Sequence, residues 1–318
     1  MNAVTRQTTQ LDMKTSPKVA VILINRNGYN LTEACVRSLC ETKYPNLLIV
    51  ITDNGSQQDD LDRLANLARA EKSVVIHPLG YNAGFTKANN AGARLALDQG
   101  ADFLWILNND TEVRSDAIEL SLKAFSDGTL DVKNTLVSSI ITYADNDNIW
   151  CNGLRDLAWF NFPRSVDKLK PAAQVARPGL VLKPAEYSVG CSMFFAREFV
   201  NTHGPMNEDY FIYYDDLDYS LGRNNVFIQQ PLVKHKVSST SGFKGSGRFT
   251  AFQSFLFAKN GIHFYFRRKK IPLHEKIIYL SFTTWVFVLL YIRDFATLTA
   301  HFKGLWAGLT DIHPQKQQ

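Results

Sequence analysis

The first third of the chain alternates short apolar runs with stretches of helical spacing, and this alternation constrains the fold more than any other feature. Strands joined by intervening helices pair in parallel, because each helix returns the chain to the same end of the sheet. The predicted strands are 18–25, 46–52, 73–77 and 102–107, and the predicted helices are 31–41, 59–71 and 86–97. The pattern therefore predicts an α/β domain with a mostly parallel central sheet flanked by helices.

The 318 residues are enough for one α/β domain with an appendage. Residues 1–17 are mostly polar and lack an apolar core, so we expect a flexible tail there rather than a secretory signal. The main domain is predicted over 18–262. Its first half, 18–126, carries the regular alternation, whereas 127–262 mixes short strand-like pieces with Pro, Asn and Trp. A helical region is predicted to follow.

The charge and cysteine content narrow the class of protein. A formal net charge of +5 suits anionic ligands or an anionic membrane face, and no nucleic-acid-binding motif accompanies it. The four cysteines show no CxxC spacing, which indicates neither a zinc site nor a disulfide framework. We therefore expect reduced thiols in a cytoplasmic protein that does not bind nucleic acid.

The C-terminal region, 263–318, contains an uncharged apolar run over 277–292. The basic segment FRRKK precedes it at 266–270. This run is shorter than the roughly 20 apolar residues that a spanning helix needs, yet longer than most core helix segments. Two alternatives stay open. The helix either lies at a membrane surface, which would make the protein peripheral at the inner face of the cell membrane, or is buried against the main domain.

Polar residues follow each of the four predicted strands. Because parallel strands end at the same edge of a sheet, one cleft would collect these side chains. Each group alone is typical of an ordinary turn. The fingerprint GxGxxG does not follow the first strand, which argues against a dinucleotide site. The candidate residues at the strand ends and in the segments that follow them are Asn25, Arg26, Asp53, Asn82, Gly84, Asn89, Asn109 and Asp110.

The stretch GPMNEDYFIYYDDLDYSLGR, in the second half, joins aromatic residues to acids. Helix capping accounts for one or two of its carboxylates, but not for the aromatic residues beside them. Aromatic rings beside a carboxylate suit a sugar platform with a general base at its edge. A later segment, VKHKVSS, places a histidine between two lysines. The candidate residues here are Tyr210, Tyr213, Tyr214, Asp215, Asp216, Asp218 and His235.

These segments together resemble the family 2 glycosyltransferases of the GT-A fold, particularly the bacterial rhamnosyltransferase-like members. The matching stretches include VAVILINRN, TDNGS, YNAGFTKANNAG, ILNNDTEV, the acidic stretch and VKHKVSS. They occur in family order over roughly 18–239. The resemblance implies a Rossmann-like GT-A domain with a nucleotide-sugar half, 18–126, an acceptor half, 127–262, and a C-terminal helical extension.

The resemblance implies a role for the donor-side residues. Asp53 is expected to contact the nucleotide base, and the loop with Asn82, Gly84 and Asn89 is expected to line the nucleotide and diphosphate. Asn25, Arg26 and Asn109 are assigned to the same nucleotide-sugar site. Asp110 stands in the DXD-type motif and, with His235, is expected to bind Mg²⁺ or Mn²⁺. Asn108 replaces the first acid of that motif.

On the acceptor side, the resemblance implies that Asp216 is the general base and that Asp215 positions the acceptor. Tyr210, Tyr213 and Tyr214 are expected to bind the acceptor sugar. The implied reaction is an inverting, metal-dependent transfer from a nucleoside-diphosphate sugar, dTDP-rhamnose or a UDP-sugar. The implied acceptor is a glycan or a lipid-linked glycan in bacterial cell-surface polysaccharide synthesis.

Two other functions stay open at this point. A nucleotidyltransferase also uses a nucleotide-binding α/β sheet with a metal-binding acid, but it would normally carry a Gly-rich, basic loop after the first strand. The segment NRNGYN has only Arg26 and one glycine. A catalytically weak, membrane-associated assembly factor on the same fold would explain Asn108. The joint presence of Asp110, Asp216 and His235 argues against it.

Overall fold

The computed structural model of the protein describes residues 16–156, 163–237 and 248–310. The tail predicted over 1–17 lies outside the described residues apart from its last two positions. The end of the segment VKHKVSS and residues 311–318 also lie outside them.

The N-terminal part of the chain alternates strands and helices as predicted, with differences only at the ends of elements. Strands β1 to β4 are rich in β-branched and aliphatic side chains, and β1, β2 and β4 are almost completely buried. The elements are β1 Val19–Asn25, α1 Tyr29–Glu41, β2 Leu47–Asp53, α2 Gln58–Ala70, β3 Val74–Pro78, α3 Gly84–Asp98 and β4 Phe103–Leu107.

The rest of the main domain is built from shorter elements. They are β5 Thr111–Val113, α4 Ala117–Ser126, β6 Thr135–Tyr143, β7 Ile149–Cys151, β8 Leu154–Asp156, β9 Pro163–Ser165, α5 Ala172–Val175, β10 Leu182–Ala185, β11 Ser192–Ala196, α6 Arg197–His203, α7 Asp215–Ser220 and β12 Asn224–His235. The C-terminal region consists of α8 Ala251–His263, a π-helical turn Phe264–Arg268, α9 Leu273–Tyr291 and α10 Phe295–Thr310.

The central sheet has the strand order β10-β12-β6-β11-β4-β1-β2-β3. Strands β4, β1, β2 and β3 pair in parallel. Strand β11 is antiparallel to both β4 and β6, and β12 runs parallel to β6. Strand β5 pairs with β12 and β7 with β6 at the margin of the sheet. A separate two-stranded sheet is formed by β8 and β9. The mostly parallel central sheet is thus confirmed.

Helices cover both faces of this sheet. Alternate residues of β1 point in opposite directions, as the pleat requires. Val19, Val21 and Leu23 join a core cluster with side chains of α1, α2 and α4. Ala20 and Ile22 join a second cluster with side chains of α3 and α6. The near-continuous apolar sequence of β1 follows from this burial on both sides.

The three C-terminal helices pack on the main domain and on each other. Helix α10 approaches α8 closely at Gly304 and Gly308, where a Cβ atom would meet the backbone or a side chain of α8. Helix α9 buries only Tyr279, Thr283, Phe287 and Tyr291, four residues apart along one stripe. Only 17% of its apolar part is buried, so 277–292 pack against the protein along this one stripe and are otherwise exposed. By length and composition α9 is the one described helix that could cross a membrane.

Candidate active site

The carboxyl ends of the parallel strands meet at one edge of the sheet. Strands β1 and β2 pair so that Asn25 lies opposite Asp53, and β2 pairs with β3 so that Asp53 lies opposite Pro78. Strand β4 pairs with the other side of β1. The prediction that the four strand ends share one edge is confirmed.

Asn25 is at the centre of a hydrogen-bond network that joins three strand ends. Its Nδ2 atom lies 3.0 Å from Asp53 Oδ2 and 2.7 Å from Asp60 Oδ2, donating to both. The Thr32 hydroxyl donates to Asn25 Oδ1 over 2.8 Å and accepts from Asn109 Nδ2 over 2.8 Å. All of the polar atoms of the Asn25 amide are therefore engaged inside the protein. Asn25 and Asn109, both assigned to the nucleotide-sugar site, help to hold the strand ends together.

Asp53 lies at the tip of β2, but its carboxylate is turned into the protein. The residue is only 1% exposed. The backbone N–H of Ser56 donates to Oδ1 over 3.0 Å, and the Ser56 hydroxyl and the Asn25 amide donate to Oδ2. A carboxylate with three donors around it holds its loop in place. The expected contact between Asp53 and a nucleotide base is not open in this arrangement.

The loop after β3 is attached to both halves of the domain. Asn54 donates to Asn82 Oδ1 over 3.0 Å, which fixes the loop beside the end of β2. Gly84 has φ +83°, and a Cβ atom there would lie 2.6 Å from the Phe211 ring and carbonyl oxygen. The Phe85 N–H donates to the Phe211 carbonyl over 2.7 Å. A glycine is needed here because the acidic stretch of the second half lies directly against the loop.

Two adjacent asparagines in the next turn of α3, Asn89 and Asn90, have different partners. Asn89, assigned to the donor site, is buried and donates to the Phe85 carbonyl over 3.1 Å within its own helix. Asn90 donates to the Met206 carbonyl over 2.9 Å and to Glu208 Oε1 over 3.0 Å. Asn90 is therefore a second link between the halves, which the sequence did not single out. Arg26, by contrast, is exposed at the end of β1, where a cation can reach an anionic ligand.

Asp110 and His235, the two residues expected to bind the metal, lie side by side. Strand β5 pairs with the end of β12, and this places His235 Nε2 3.1 Å from Asp110 Oδ1, with both side chains buried. The Trp150 ring packs edge-on against the imidazole, with centroids 4.6 Å apart. Neighbouring ligands of an octahedral ion at about 2.1 Å lie about 3 Å apart, so the two atoms fit one hard cation.

The protein supplies few ligands beyond this pair. Across the residues that the structure describes, no three His, Cys, Asp or Glu side chains converge on one point. Asn108 stands where the motif has its first acid, and this accounts for part of the small number of protein ligands. A cation at Asp110 and His235 would therefore take its remaining ligands from water or from oxygens of a bound substrate.

Asp216 and Asp215 differ in access. Asp216 is half-buried at the start of α7, where its carboxylate accepts from the backbone N–H groups of Gly190, over 3.0 Å, and Leu217, over 2.9 Å. Burial raises the pKa of Asp216, and these two N–H groups oppose the rise. Asp215 is buried, and burial together with the charge of Asp216 raises its pKa well above the usual range. Asp216 is thus the acid that a substrate can reach.

Asp218 has a different partner. Its carboxylate accepts a hydrogen bond from Arg268 Nε in the π-helical turn. Burial raises the pKa of Asp218, while the guanidinium acts in the opposite direction. Asp218 therefore connects α7 to the C-terminal region, and its carboxylate has a different partner from that of Asp216.

The segment before these acids has an unusual backbone. Tyr213 and Tyr214 both have positive φ, 72° and 66°, which costs a bulky side chain on the order of 1–3 kcal/mol each. Asn260 of α8 donates to the carbonyl oxygens of Ile212, over 2.8 Å, and Tyr213, over 3.2 Å. The Tyr214 hydroxyl lies 2.6 Å from the Tyr279 hydroxyl of α9. The C-terminal helices thus hold the strained turn that leads into Asp215.

The predicted sugar platform is corrected by the same packing. Tyr210 is 1% exposed and Tyr214 is 5% exposed, and both belong to an aromatic cluster with Phe264, Tyr265 and Tyr279. Neither ring offers an open face to an acceptor in this structure. Tyr213 is half-buried and is the one member of the predicted trio with some access.

Part of the chain is similar to a known protein family. Residues 20–164 match the family model of glycosyl transferase family 2. The dTDP-rhamnosyl transferase RfbF of Shigella flexneri is 25% identical over 197 residues, which cover 58% of this chain and 56% of that protein. A glycosyltransferase of Haemophilus influenzae is 28% identical over 103 residues, 30% of this chain and 32% of that protein. The matches thus span about half or less of these curated relatives.

Two solved structures share the fold. A crystal structure of GalNAc-T7 with UDP, GalNAc and Mn²⁺ has a TM-score of 0.59 at 16% identity, covering 90% of this chain and 59% of that chain. The mannosyltransferase PcManGT of Pyrobaculum calidifontis, in complex with GDP-Man and Mn²⁺, has a TM-score of 0.55 at 16% identity, covering 94% and 89%. The chain shares the GT-A fold of these structures, and its residues 20–164 are similar to glycosyl transferase family 2.

The first prediction concerns the hydroxyl that joins β1 to β4 through α1. Thr32→Val keeps the shape of the side chain but leaves Asn25 Oδ1 and Asn109 Nδ2 without this partner. An unsatisfied buried polar group costs about 1–3 kcal/mol, so the free energy of unfolding in urea should fall by that amount. Thr32→Ser keeps the hydroxyl and is the matched control. Equal stability of the two variants would show that the bridge is dispensable.

The second prediction concerns the buried Asp215 carboxyl. Its folded pKa is raised, so its contribution to stability is fully present below the unfolded pKa of about 3.9 and is lost as the pH rises through the folded pKa. Asp215→Asn removes this loss. The variant should be more stable than wild type at pH 8 by a margin that shrinks towards pH 4, measured by urea unfolding.

The exposed Asp209 of the same stretch provides the control for Asp215. Asp209→Asn removes one exposed carboxylate and should shift stability little. An Asp215→Asn variant that is less stable than wild type at pH 8 would mean that the folded protein stabilises the charged carboxylate.

Proposed function

We propose that the protein transfers a sugar from a nucleoside-diphosphate sugar to a hydroxyl group of an acceptor. One observation carries this proposal: the consecutive residues Gly190 and Cys191 contact the proposed base and the strand end with the proposed metal ligand. The Gly190 N–H donates to Asp216 over 3.0 Å, and the Cys191 carbonyl accepts from the Asn108 N–H over 3.0 Å. Asp216 and the strand end that carries Asp110 are therefore attached to neighbouring residues of one segment.

A divalent cation, Mg²⁺ or Mn²⁺, fits the pair Asp110 and His235, and its charge would neutralise the diphosphate that leaves. The Mn²⁺ in the two structural relatives supports this choice of metal. Arg26 is exposed at the same edge, and we propose that it contacts the diphosphate or the nucleotide. The loop with Asn82 and Gly84 would line the donor.

Asp216 is the residue proposed to act on the acceptor. Burial makes its carboxylate a stronger base than an ordinary aspartate. It takes the proton of the acceptor hydroxyl while that oxygen bonds to the anomeric carbon and the bond from this carbon to the diphosphate breaks. The attack comes from the face opposite the leaving group, so a single displacement inverts the anomeric carbon. Gly190 and Leu217 hold the carboxylate in place throughout.

The donor and acceptor are proposed by class. The name of RfbF supports dTDP-rhamnose as the first donor to test, and UDP-sugars come second because UDP accompanies one structural relative. A glycan or lipid-linked glycan of the bacterial cell surface is the proposed acceptor. The match to a glycosyl transferase family supports sugar transfer over nucleotidyl transfer.

The third prediction tests the base. Asp216→Asn keeps the size of the side chain and removes the proton acceptor, so kcat should fall by about 10²–10⁴-fold. Binding of the nucleotide sugar, measured as ligand-induced thermal stabilisation, should persist because the proposed donor residues follow β1 and β3, whereas Asp216 lies on α7. Asp218→Asn is the comparison, because it should lower stability more than turnover. Normal turnover by Asp216→Asn would show that Asp216 is not the general base. If Asp215→Asn were then inactive, the general base would be Asp215.

The fourth prediction tests the metal. EDTA should abolish turnover, and added Mg²⁺ or Mn²⁺ should restore it. Asp110→Ala should weaken both turnover and the metal-dependent part of donor binding, measured by titration calorimetry. Glu112→Ala is the matched control, because Glu112 lies two residues away and pairs with Lys236 at the surface. Full turnover of the wild type in chelator would exclude a catalytic cation.

A further inference from the structure

The C-terminal helices present an apolar surface that the main domain does not use. Sixteen large apolar side chains are exposed in the described part of the chain, and twelve of them lie between residues 273 and 309. Trp285 is 59% exposed and Trp306 is 70% exposed. We call this surface the apolar face. Its members are Leu273, Ile277, Ile278, Phe282, Trp285, Leu289, Leu290, Ile292, Phe295, Phe302, Trp306 and Leu309.

The part of the apolar face on α9 has the length and spacing of a helix that lies on a surface. Ile278, Phe282, Trp285 and Leu289 follow one another at helical spacing along the side of α9 opposite its buried stripe. The 19 residues of α9 extend about 28 Å at 1.5 Å per residue. Residues 277–292 contain no charged side chain. A continuous uncharged strip of this length is more than the scattered apolar residues of an ordinary protein surface.

Charged residues stand at the ends of this strip. Exposed cations are Lys270 before α9, Arg293 after it, and Lys303 beside Phe302 on α10. The acids of the same segment, Glu275 and Asp294, are half-buried. Asp294 accepts from the backbone N–H and the hydroxyl of Thr297, which directs it to the cap of α10. The exposed charge around the apolar face is therefore mainly positive.

The attachment of α9 decides how it could meet a bilayer. Near its N-terminal end, the Tyr279 hydroxyl lies 2.6 Å from the Tyr214 hydroxyl. At its C-terminal end, the Tyr291 hydroxyl accepts from the Phe249 N–H over 2.6 Å. Between them the Phe287 ring stacks on His301, with centroids 4.0 Å apart. A helix bound to the protein along one whole side cannot be surrounded by lipid, so crossing the bilayer would break these contacts.

We propose that the apolar face docks on an anionic lipid bilayer with α9 lying in the plane of the surface. The uncharged strip enters the boundary between headgroups and acyl chains, Trp285 and Trp306 lie at the level of the headgroups, and the exposed cations contact lipid phosphates. Anionic lipid is the occupant that matches both the apolar strip and the positive charge at its ends. This docking does not depend on the sugar-transfer chemistry.

The test is sedimentation of the full chain with vesicles. Vesicles of phosphatidylcholine mixed with phosphatidylglycerol should bind the wild type, and phosphatidylcholine alone should bind it more weakly. The double variant Trp285→Ser with Leu289→Ser should lose about tenfold or more in partitioning, since two large apolar side chains no longer enter the lipid. Leu169→Ser is the matched control, because Leu169 is 63% exposed but lies far from α9 in the chain.

Substitutions are preferable to removal of the C-terminal helices. Removing residues after Ile271 would uncover Tyr214 and Phe257, which pack against α9, and would confuse loss of lipid contact with loss of folding. The substituted side chains are exposed, so thermal unfolding of the double variant should match the wild type, and the comparison holds for the folded protein.

Three results would overturn the proposal. The first is failure of the wild type to bind anionic vesicles. The second is resistance of the bound protein to extraction with alkaline carbonate, which would mean that α9 crosses the bilayer. The third is a wild-type dimer in light scattering that becomes monomeric in the double variant without any vesicle binding, which would assign the apolar face to a second copy of the chain. None of these readouts uses transferase activity.

Discussion

Asn25 and Asp53 face each other at the ends of two parallel strands, and the rest of the site depends on this register. A slip of one residue would turn every side chain of β1 to the opposite face of the sheet, and Val19, Val21 and Leu23 would leave the core that holds α1. With the register in place, the Asn25 amide reaches Asp53 and Asp60, and Thr32 extends the connection to Asn109. The strand end that carries Asp110 is thereby fixed to the middle of the sheet.

The second half of the domain is attached to this frame by backbone contacts. Gly84 lets the Phe211 segment lie against α3, and Asn90 binds the loop at Met206. Gly190 then holds Asp216 by its N–H. These contacts use main-chain atoms on at least one side, so they fix the position of the acids without demanding a particular side chain in return.

The sequence predicted the parallel strands well because buried strands and amphipathic helices differ in period, and the polar residues at their ends follow from the rule that parallel strands end together. The pairing of Asp110 with His235 required the family resemblance, since 125 positions of chain separate them. Thr32 and Asp60 were missed because a single hydroxyl or acid in the first turn of a helix is usual. Tyr210 and Tyr214 were misassigned because burial by α8 and α9 depends on contacts that are distant in the sequence.

The hydroxyl contact between Tyr214 and Tyr279 places the boundary predicted between 262 and 263 inside a shared core, which also contains Phe264 and Tyr265. A change at Tyr279 alters the partner of a side chain that directly precedes Asp215 in the chain. In evolutionary terms, the surface helix and the acidic stretch are not free to diverge separately. Exchange of C-terminal helices between relatives would preserve the acidic stretch only where Tyr214 and Tyr279, or a compensating pair, are both kept.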